Sequence, residues 1–452
     1  MPAALDQVFK AYDVRGVYPD QLDEDLAERV GRAFVALTGA GTLAIGQDMR
    51  PSSKPMADAL AAGAMAQGAD VLRVGLCSTD MLYYVSGALD VAGVMLTASH
   101  NPARYNGLKL CRPGAVPVGE ESGLADIKRM VAAGEPATPG ARRGRERQAD
   151  DLLERYAAHV RSFAELASLR PLKVVADAGN GMAGHVVPAV FRGLPFELVS
   201  MYFELDGNFP NHPADPLNPE NLVELQARVV AEAADVGLAF DGDADRVFLV
   251  DEQGATVPSS LVGALVARLM CEREPGATVL YNLICSRVVP ETIREAGGVP
   301  VRTRVGHSFI KAVMAETGAI FGCEHSGHYY FRDNYRADSG LIAALVALDA
   351  LSRAGRPLSE VLAPYRRYAA SGEINRRVDG DPRKVIEEVA ARHPADAADF
   401  ADGLTVEGGD WWFNLRPSNT EPLLRLNVEA ATEAEMARVR DEVLEAVGGE
   451  PA

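Results

Sequence analysis

Val91-Ala-Gly-Val-Met-Leu96, running into Thr97-Ala-Ser-His-Asn-Pro102, is the stretch on which the reading of this fold turns. The first six residues form a short apolar run of the kind a buried strand makes. Pro102 stops the chain from continuing as regular structure, so Ser99 falls on a turn at the strand's C-terminal end. Open α/β sheets bind ligands in clefts at the C-terminal ends of parallel strands. A hydroxyl placed there can act as a nucleophile, although the segment alone is also compatible with a plain polar turn. Working outward, strands before Gly46-Gln-Asp-Met-Arg50 and Cys77-Ser-Thr-Asp80 alternate with Ala-rich helical stretches such as Met56 to Gln67. That grammar of strand, functional turn and helix predicts a mainly parallel sheet covered by helices.

A second segment joins Val236-Gly-Leu-Ala-Phe240 to Val247-Phe-Leu-Val250 through Asp241-Gly-Asp-Ala-Asp-Arg246. Three carboxylates at alternate positions can converge on one hard, oxygen-liganded cation, for which Mg²⁺ is the best match. A calcium EF-hand is the competing pattern: Asp241, Asp243 and Asp245 fall at loop positions 1, 3 and 5, and Glu252 at position 12. Arg246 occupies the position where the sharp turn needs Gly, and the flanks read as strands rather than helices. The EF-hand is therefore set aside.

Two more loops complete the set. Gly322-Cys-Glu-His-Ser-Gly-His328 follows the strand-like Ala319-Ile-Phe321, and Glu324 with Ser326 can face one way. One strong acceptor and one donor-acceptor suit the vicinal hydroxyls of a sugar. Arg416-Pro-Ser-Asn-Thr-Glu-Pro422 links Trp411-Trp-Phe-Asn-Leu415 to Leu423-Leu-Arg-Leu-Asn-Val428. A guanidinium fork, two hydroxyls and turn N–H groups make a phosphate receptor. Taken singly, the first is also an ordinary solvated loop and the second an ordinary hairpin connection.

With these four segments in this order, the chain resembles the α-D-phosphohexomutases, most closely their bacterial phosphomannomutase/phosphoglucomutase branch. The likeness runs from Phe9-Lys-Ala-Tyr-Asp-Val-Arg-Gly16 to the loop at 416–422. It implies three similar mixed-sheet α/β domains and a smaller α+β C-terminal domain around a central cleft. The expected sections are 1–149 bearing a phosphoserine, 150–251 binding metal, 252–367 recognising sugar and 368–452 binding phosphate. By the same resemblance Ser99 is phosphorylated, and Asp241, Asp243 and Asp245 bind Mg²⁺ together with a phosphoserine oxygen. Glu324 and Ser326 read the sugar, while Arg416, Ser418, Asn419 and Thr420 hold its phosphate. Tyr12, Arg15, Lys109, Arg246, His307 and His328 also match cleft positions of the family. Its glucosamine branch usually carries Gly where Asn419 stands, and its serine segment continues differently from Ala103-Arg-Tyr-Asn-Gly-Leu-Lys109. One departure follows Thr278-Val-Leu-Tyr-Asn-Leu283: the branch often has Lys where this chain has Ile284, with Arg287 or Lys311 as candidate replacements.

The implied reaction moves a phosphoryl group reversibly between C6 and C1 of a hexose phosphate, through a 1,6-bisphosphate that also serves as activator. A serine hydroxyl is a poor resting nucleophile and needs a basic neighbour and cationic help. In-line transfer spreads charge that Mg²⁺ and Arg246 can offset. Lys109, ten residues after Ser99, is the expected acid/base partner, with Arg15 and His328 assisting; His100 is open to a structural or a chemical role. A phosphoglucosamine mutase, a metal-dependent sugar phosphatase and a silent sugar-phosphate binder are the rivals. A phosphatase needs no second phosphate site for a reoriented intermediate, and silence is disfavoured by the joint presence of Ser99, the aspartates and Lys109.

Composition narrows the partners. At 452 residues, several domains are expected rather than one core. Lysine and arginine number 45 against 63 aspartates and glutamates, and the net charge of −18 disfavours nucleic acid and anionic membrane. Basic residues must then gather locally to hold an anionic substrate. Cys77, Cys111, Cys271, Cys285 and Cys323 show no paired spacing, which suits reduced thiols in a cytoplasm. No leader or spanning run is visible; the apolar stretch at Leu341 to Leu348 is broken by Asp349. Oligomeric state is left open. Arg142-Arg-Gly-Arg-Glu-Arg147 reads as a solvated linker rather than a nucleic-acid patch. Gly179-Asn-Gly-Met-Ala-Gly184 after Leu172-Lys-Val-Val-Ala176 matches a dinucleotide fingerprint, with Glu204 at a suitable distance. The following run through Pro210, Pro213, Pro216 and Pro219 suggests an extended, polyproline-like stretch instead of a second βαβ unit.

Overall fold

The computed structural model describes residues 2–136, 142–378, 380–394, 397–417 and 423–451, with backbone alone for residues 2–4 and His307. Four sheets follow one another along the chain. In the first, Ala92–Leu96, Thr42–Gln47, Asp70–Leu76 and Glu146–Gln148 run parallel, while Tyr105–Arg112 and Val14–Val17 add antiparallel neighbours. All five residues of Ala92–Leu96 are buried, as an interior strand covered on both faces requires. The second sheet sets Phe196–Met201, Leu172–Asp177 and Val236–Phe240 in parallel, followed by the antiparallel Val247–Asp251 and Thr256–Val257. The third repeats the plan with Val299–Thr303, Thr278–Asn282 and Phe321–Cys323, then the antiparallel Tyr329–Phe331. The fourth is wholly antiparallel, with Trp411–Pro417 beside Leu423–Ala430, and is backed by the helix Glu433–Val447.

The four singled-out loops share a position: the sequence already set the 241–246 and 416–422 loops between strands, while the strand, turn and helix grammar missed it at the Ser99 turn. Each joins two antiparallel neighbours rather than a strand and a helix: 97–104, 241–246, 324–328 and 418–422. Helices follow the other turns, as Ser53–Ala66 follows Gly46 to Arg50 and Thr79–Leu89 follows Cys77 and Ser78. After two of these turns, Val247–Asp251 and Tyr329–Phe331 are runs rich in aromatic or β-branched residues suited to pairing, while Tyr105–Arg112 opens on Tyr105 and pairs on both sides with Val14–Val17 and Ala92–Leu96.

Two other expectations need correction. The tail of the Arg-rich linker, Glu146–Gln148, is an edge strand pairing with Asp70–Leu76. The proline stretch is a chain of turns, not an extended helix, because Asp206, Asp215 and Asn218 side chains accept from N–H groups two residues ahead. The glycine run at 179–184 turns its Met182 N–H onto the Gly242 carbonyl at 2.9 Å, so it braces the aspartate loop. Among the described residues, no helix is long and apolar enough to cross a membrane. One apolar core runs through the second and third sections and reaches into the first, which also has its own; the fourth section's core is separate.

Candidate active site

Ser99 sits at the meeting of the first two sheets' loops, 5 % exposed, with φ at +50°. That left-handed backbone costs about 1–3 kcal/mol in a residue with a side chain and persists only where its surroundings fix it. Thr97 Oγ1 accepts from the Ser99 N–H at 2.9 Å. The buried guanidinium of Arg50 donates to the carbonyls of Ser99, Asn101, Pro102 and Tyr105 while Asp48 holds its Nε. Gly242 packs against this turn so closely that a Cβ there would lie 2.4 Å from the Ser99 carbonyl oxygen.

Ser99 Oγ donates to Asp241 Oδ2 at 2.7 Å. Arg246 Nε donates to the same oxygen at 2.9 Å, and Arg246 Nη2 meets His100 Nδ1. His100 Nδ1 thus accepts from a guanidinium, and burial followed by Arg246 and Arg15 drives the imidazole pKa well down, leaving it neutral. The same Nδ1 lies 3.2 Å from Ser99 Oγ, so His100 contacts both Arg246 and the serine. Antiparallel pairing of Met95 with Lys109 returns the lysine to the same site. Its ammonium lies 2.8 Å from Asp243 Oδ2 and 2.6 Å from Asp245 Oδ2. Burial alone would lower that pKa, but the two carboxylates outweigh it and hold the group well above its ordinary value.

The three aspartates offer oxygens within 4.8 Å of one another, all buried. Burial, opposed by Arg246 and reinforced by Asp245 and Asp243, pushes the Asp241 carboxyl up to about 7. Asp243 Oδ1 and Asp245 Oδ1 are buried with no hydrogen-bond partner among the described residues. Desolvated carboxylate oxygens without hydrogen bonds, in a cluster of three aspartates, are expensive without a counter-charge. An oxygen-liganded divalent cation of Mg²⁺ type fits them.

The third sheet's loop closes over this centre. Arg246 and His328 form an isolated bridge, and His328 Nδ1 lies 3.0 Å from Asp338 Oδ2, itself ion-paired with Lys311. Glu324 is buried, its Oε2 accepting from Tyr330 OH at 2.7 Å and its Oε1 from Asn282 Nδ2 and Gly306 N. A carboxylate has about four acceptor sites, so three internal bonds leave capacity for a ligand hydroxyl. Ser326 is half-buried in the same loop. Arg15 donates to Asn101 Oδ1 at 2.7 Å, and Tyr12 packs edge-on against Phe309, with burial and then Asp402 raising its phenol pKa. Arg416 donates to Glu373 at 3.0 Å, and Arg425 pairs with the other Glu373 oxygen at 3.4 Å. Between these and Glu324 stands His325, whose pKa burial, with Arg416 and Arg425, brings down to about 3. The His307 side chain and Ser418, Asn419 and Thr420 lie outside the described residues; His307 opens the helix His307–Thr317.

Ile284 is buried with Leu283, Val305 and Trp412 at the seam with the fourth section. Arg287 donates to the carbonyls of Gly408, Gly409 and Trp411, and Lys311 rests over the Tyr83 ring beside Asp338. Both candidate replacements are engaged within the protein. Sequence reasoning did not single out Thr79, Glu373, Arg425 or the hold of Arg50 on the serine turn. The polar turns holding Thr79 and Arg50 were the available signal.

Comparison with known proteins agrees along the whole chain. Models of the phosphoglucomutase/phosphomannomutase alpha/beta/alpha domains I, II and III match residues 6–137, 154–254 and 258–368, and the C-terminal domain matches 373–446. A protein of Xanthomonas campestris described as phosphohexose mutases is 41% identical over 436 residues, covering 96% of this chain and 97% of that one. The phosphomannomutase of Escherichia coli K12 is 39% identical over 446 residues, with 96% and 97% covered. A crystal structure of a phosphoglucomutase/phosphomannomutase family protein from Burkholderia thailandensis superposes with a TM-score of 0.89 at 34% identity, covering 98% of this chain and 99% of that one. The chain therefore belongs to the phosphoglucomutase/phosphomannomutase family and is a phosphohexomutase.

Proposed function

We propose that the enzyme interconverts hexose 6-phosphate and hexose 1-phosphate, with mannose the foremost sugar and glucose also accepted, through phosphorylated Ser99 and a 1,6-bisphosphate. The observation carrying this is the buried Ser99 hydroxyl, 2.7 Å from Asp241 and beside two unpaired aspartate oxygens. In the forward transfer the bond from phosphorus to Ser99 Oγ breaks as one forms to the free sugar hydroxyl. Arg246, fixed by Asp241, offsets charge at the serine oxygen. Mg²⁺ held by Asp241, Asp243, Asp245 and a phosphoserine oxygen would supply further positive charge against the transferring group. Lys109, held protonated by two carboxylates, suits charge compensation and proton donation to the serine oxygen. His328, oriented by Asp338, suits acceptance of the sugar hydroxyl's proton, with Arg15 beside the serine turn.

The bisphosphate must then turn over so that its other phosphate faces Ser99. Arg416, with Ser418, Asn419 and Thr420, serves whichever phosphate is not reacting, and Tyr12 and His307 border the sugar. Glu324 and Ser326 grip the hydroxyls at C3 and C4, which mannose and glucose share, so both epimers fit one grip. A coupled assay of mannose, glucose and glucosamine phosphates, with and without a hexose 1,6-bisphosphate, tests this directly. The first two should turn over, with activation by the bisphosphate. Efficient glucosamine phosphate turnover beside negligible mannose phosphate turnover would overturn the substrate assignment.

A further inference from the structure

The turn Cys77-Ser-Thr-Asp80 takes no part in the reaction outlined above, yet three sections of the chain meet on it. Asp80 is wholly buried. Its Oδ1 accepts from Ser78 Oγ, and its Oδ2 accepts from Tyr156 OH at 2.6 Å and Ser339 Oγ at 2.5 Å. Ser78 caps the helix Thr79–Leu89 through the Met81 N–H, and Ser339 caps Gly340–Ala354 through the Ile342 N–H. Tyr156 belongs to the helix Leu152–Arg161. One carboxylate thus ties the starts of two helices to a third helix, each from a different section.

Both capped helix starts press on the aspartate loop. The Thr79 N–H donates to the Asp243 carbonyl at 3.0 Å, and Thr79 Oγ1 donates to Asp243 Oδ2 at 2.5 Å. That second bond, with Lys109, occupies Oδ2 and leaves Oδ1 buried without a hydrogen bond among the described residues. On the opposite side, Gly340 lies so near the loop backbone that a Cβ would stand 2.7 Å from the Arg246 carbonyl oxygen. Burial pushes the Asp80 carboxyl up to about 7 against the pull of its three hydroxyl partners. Each hydroxyl of this network finds its acceptor on Asp80, and a satisfied buried polar network rigidifies what it joins.

We propose that Asp80 is a positioning residue that sets the ligand geometry of the aspartate loop, by fixing Thr79 against Asp243 and the Gly340 helix against Arg246. The inference rests on the reading of Asp241, Asp243 and Asp245 as the cation site. Partners lying behind metal ligands typically contribute about 10–100-fold to metal affinity or activity.

The test compares Asp80→Asn and Tyr156→Phe with the parent enzyme. Four quantities are measured: Mn²⁺ binding by paramagnetic resonance without substrate, the Mg²⁺ concentration for half-maximal turnover, kcat against KM for the sugar phosphate, and Tm. Asp80→Asn should weaken Mn²⁺ binding by about tenfold or more, with kcat falling and the sugar-phosphate KM little changed. Tyr156→Phe, which deletes one hydroxyl, should shift the same quantities less. A purely structural role moves Tm alone, so parent-like Mn²⁺ binding and turnover in folded Asp80→Asn would overturn the inference. If Asp80→Asn does not fold, parent-like Mn²⁺ binding in Tyr156→Phe would overturn it. A parent enzyme that binds no Mn²⁺ would overturn the cation reading itself, and the inference with it.

Discussion

The two ends of the cleft are built on opposite principles. At the Ser99 end, the serine and all three aspartates are buried, and the serine turn is held by a guanidinium bonded to four carbonyls. Neighbouring sections share that region's apolar core. At the Arg416 end, the fourth section keeps a core of its own and meets the third through a small patch around Ile284 and polar bridges. Arg287 donates to three carbonyls there, Arg302 pairs with Asp399 and Glu407, and the Val305 N–H donates to Asp402. Phosphoryl transfer demands atoms fixed to a fraction of an ångström. Holding a ligand in two orientations demands a recognition surface that can readjust, and exchangeable ion pairs permit that.

The largest expected effect comes from breaking the rigid end. Ser99→Ala should cut turnover by about 10³-fold or more, as loss of a nucleophile acting in concert with its neighbours does, while Tm stays near the parent value. Intact mass and peptide mapping should place one phosphate on Ser99 in the parent. Full activity in the alanine variant would refute the covalent step. Chelation comes next: thoroughly metal-free enzyme should be inactive, and Mg²⁺ should restore turnover far better than Ca²⁺. Phosphoryl transfer needs compact octahedral geometry, whereas Ca²⁺ takes longer bonds and more ligands. Undiminished turnover without metal would contradict the assignment of Asp241, Asp243 and Asp245.

At the recognition end, Glu324→Ala should lower kcat/KM for mannose and glucose phosphates together. A hydrogen bond to a charged group is worth about 1.5–3 kcal/mol, so a loss of about 10–100-fold is expected for each sugar. Loss confined to one sugar would show that Glu324 senses C2. The variant also frees Tyr330 OH and Asn282 from their internal acceptor, so a Tm measurement is needed alongside the kinetics.

Much of this arrangement was legible in the chain because each functional turn is framed by apolar runs with strand periodicity. The Asp241 loop is an example: strands on both sides excluded the EF-hand, and three alternating carboxylates stand together in the structure. What stayed hidden depends on partners far apart in sequence. Arg50 reaches carbonyls some fifty residues away, and Asp80 bonds a serine 259 positions later. No local pattern encodes such pairings. A buried Arg or Asp in a polar turn looks like a solvated one until the neighbouring sections arrive. Ile284 teaches the converse: family likeness led to the expectation of a basic replacement nearby, while packing uses the position as an apolar contact with Trp412.

The smallest expected effect tests whether the two ends are independent. Arg287→Ala removes three hydrogen bonds to the fourth section but touches nothing near Ser99. Each such bond is worth about 0.5–1.5 kcal/mol net, and Arg287 is partly exposed, so only part of that sum should appear in docking the section. On the proposed reading the non-reacting phosphate is held on that section, so weaker docking should raise the sugar-phosphate KM by a few fold. Positions at the serine are set by Arg50, Asp241 and Arg246, so kcat should stay close to the parent. The seam's apolar patch remains, and the section's own core keeps it folded. Measured kcat and KM across a range of sugar-phosphate concentrations distinguish the outcomes. A fall in kcat at unchanged KM would show that the seam transmits strain to the chemistry, and the contrast between a fixed and an adjustable end would fail.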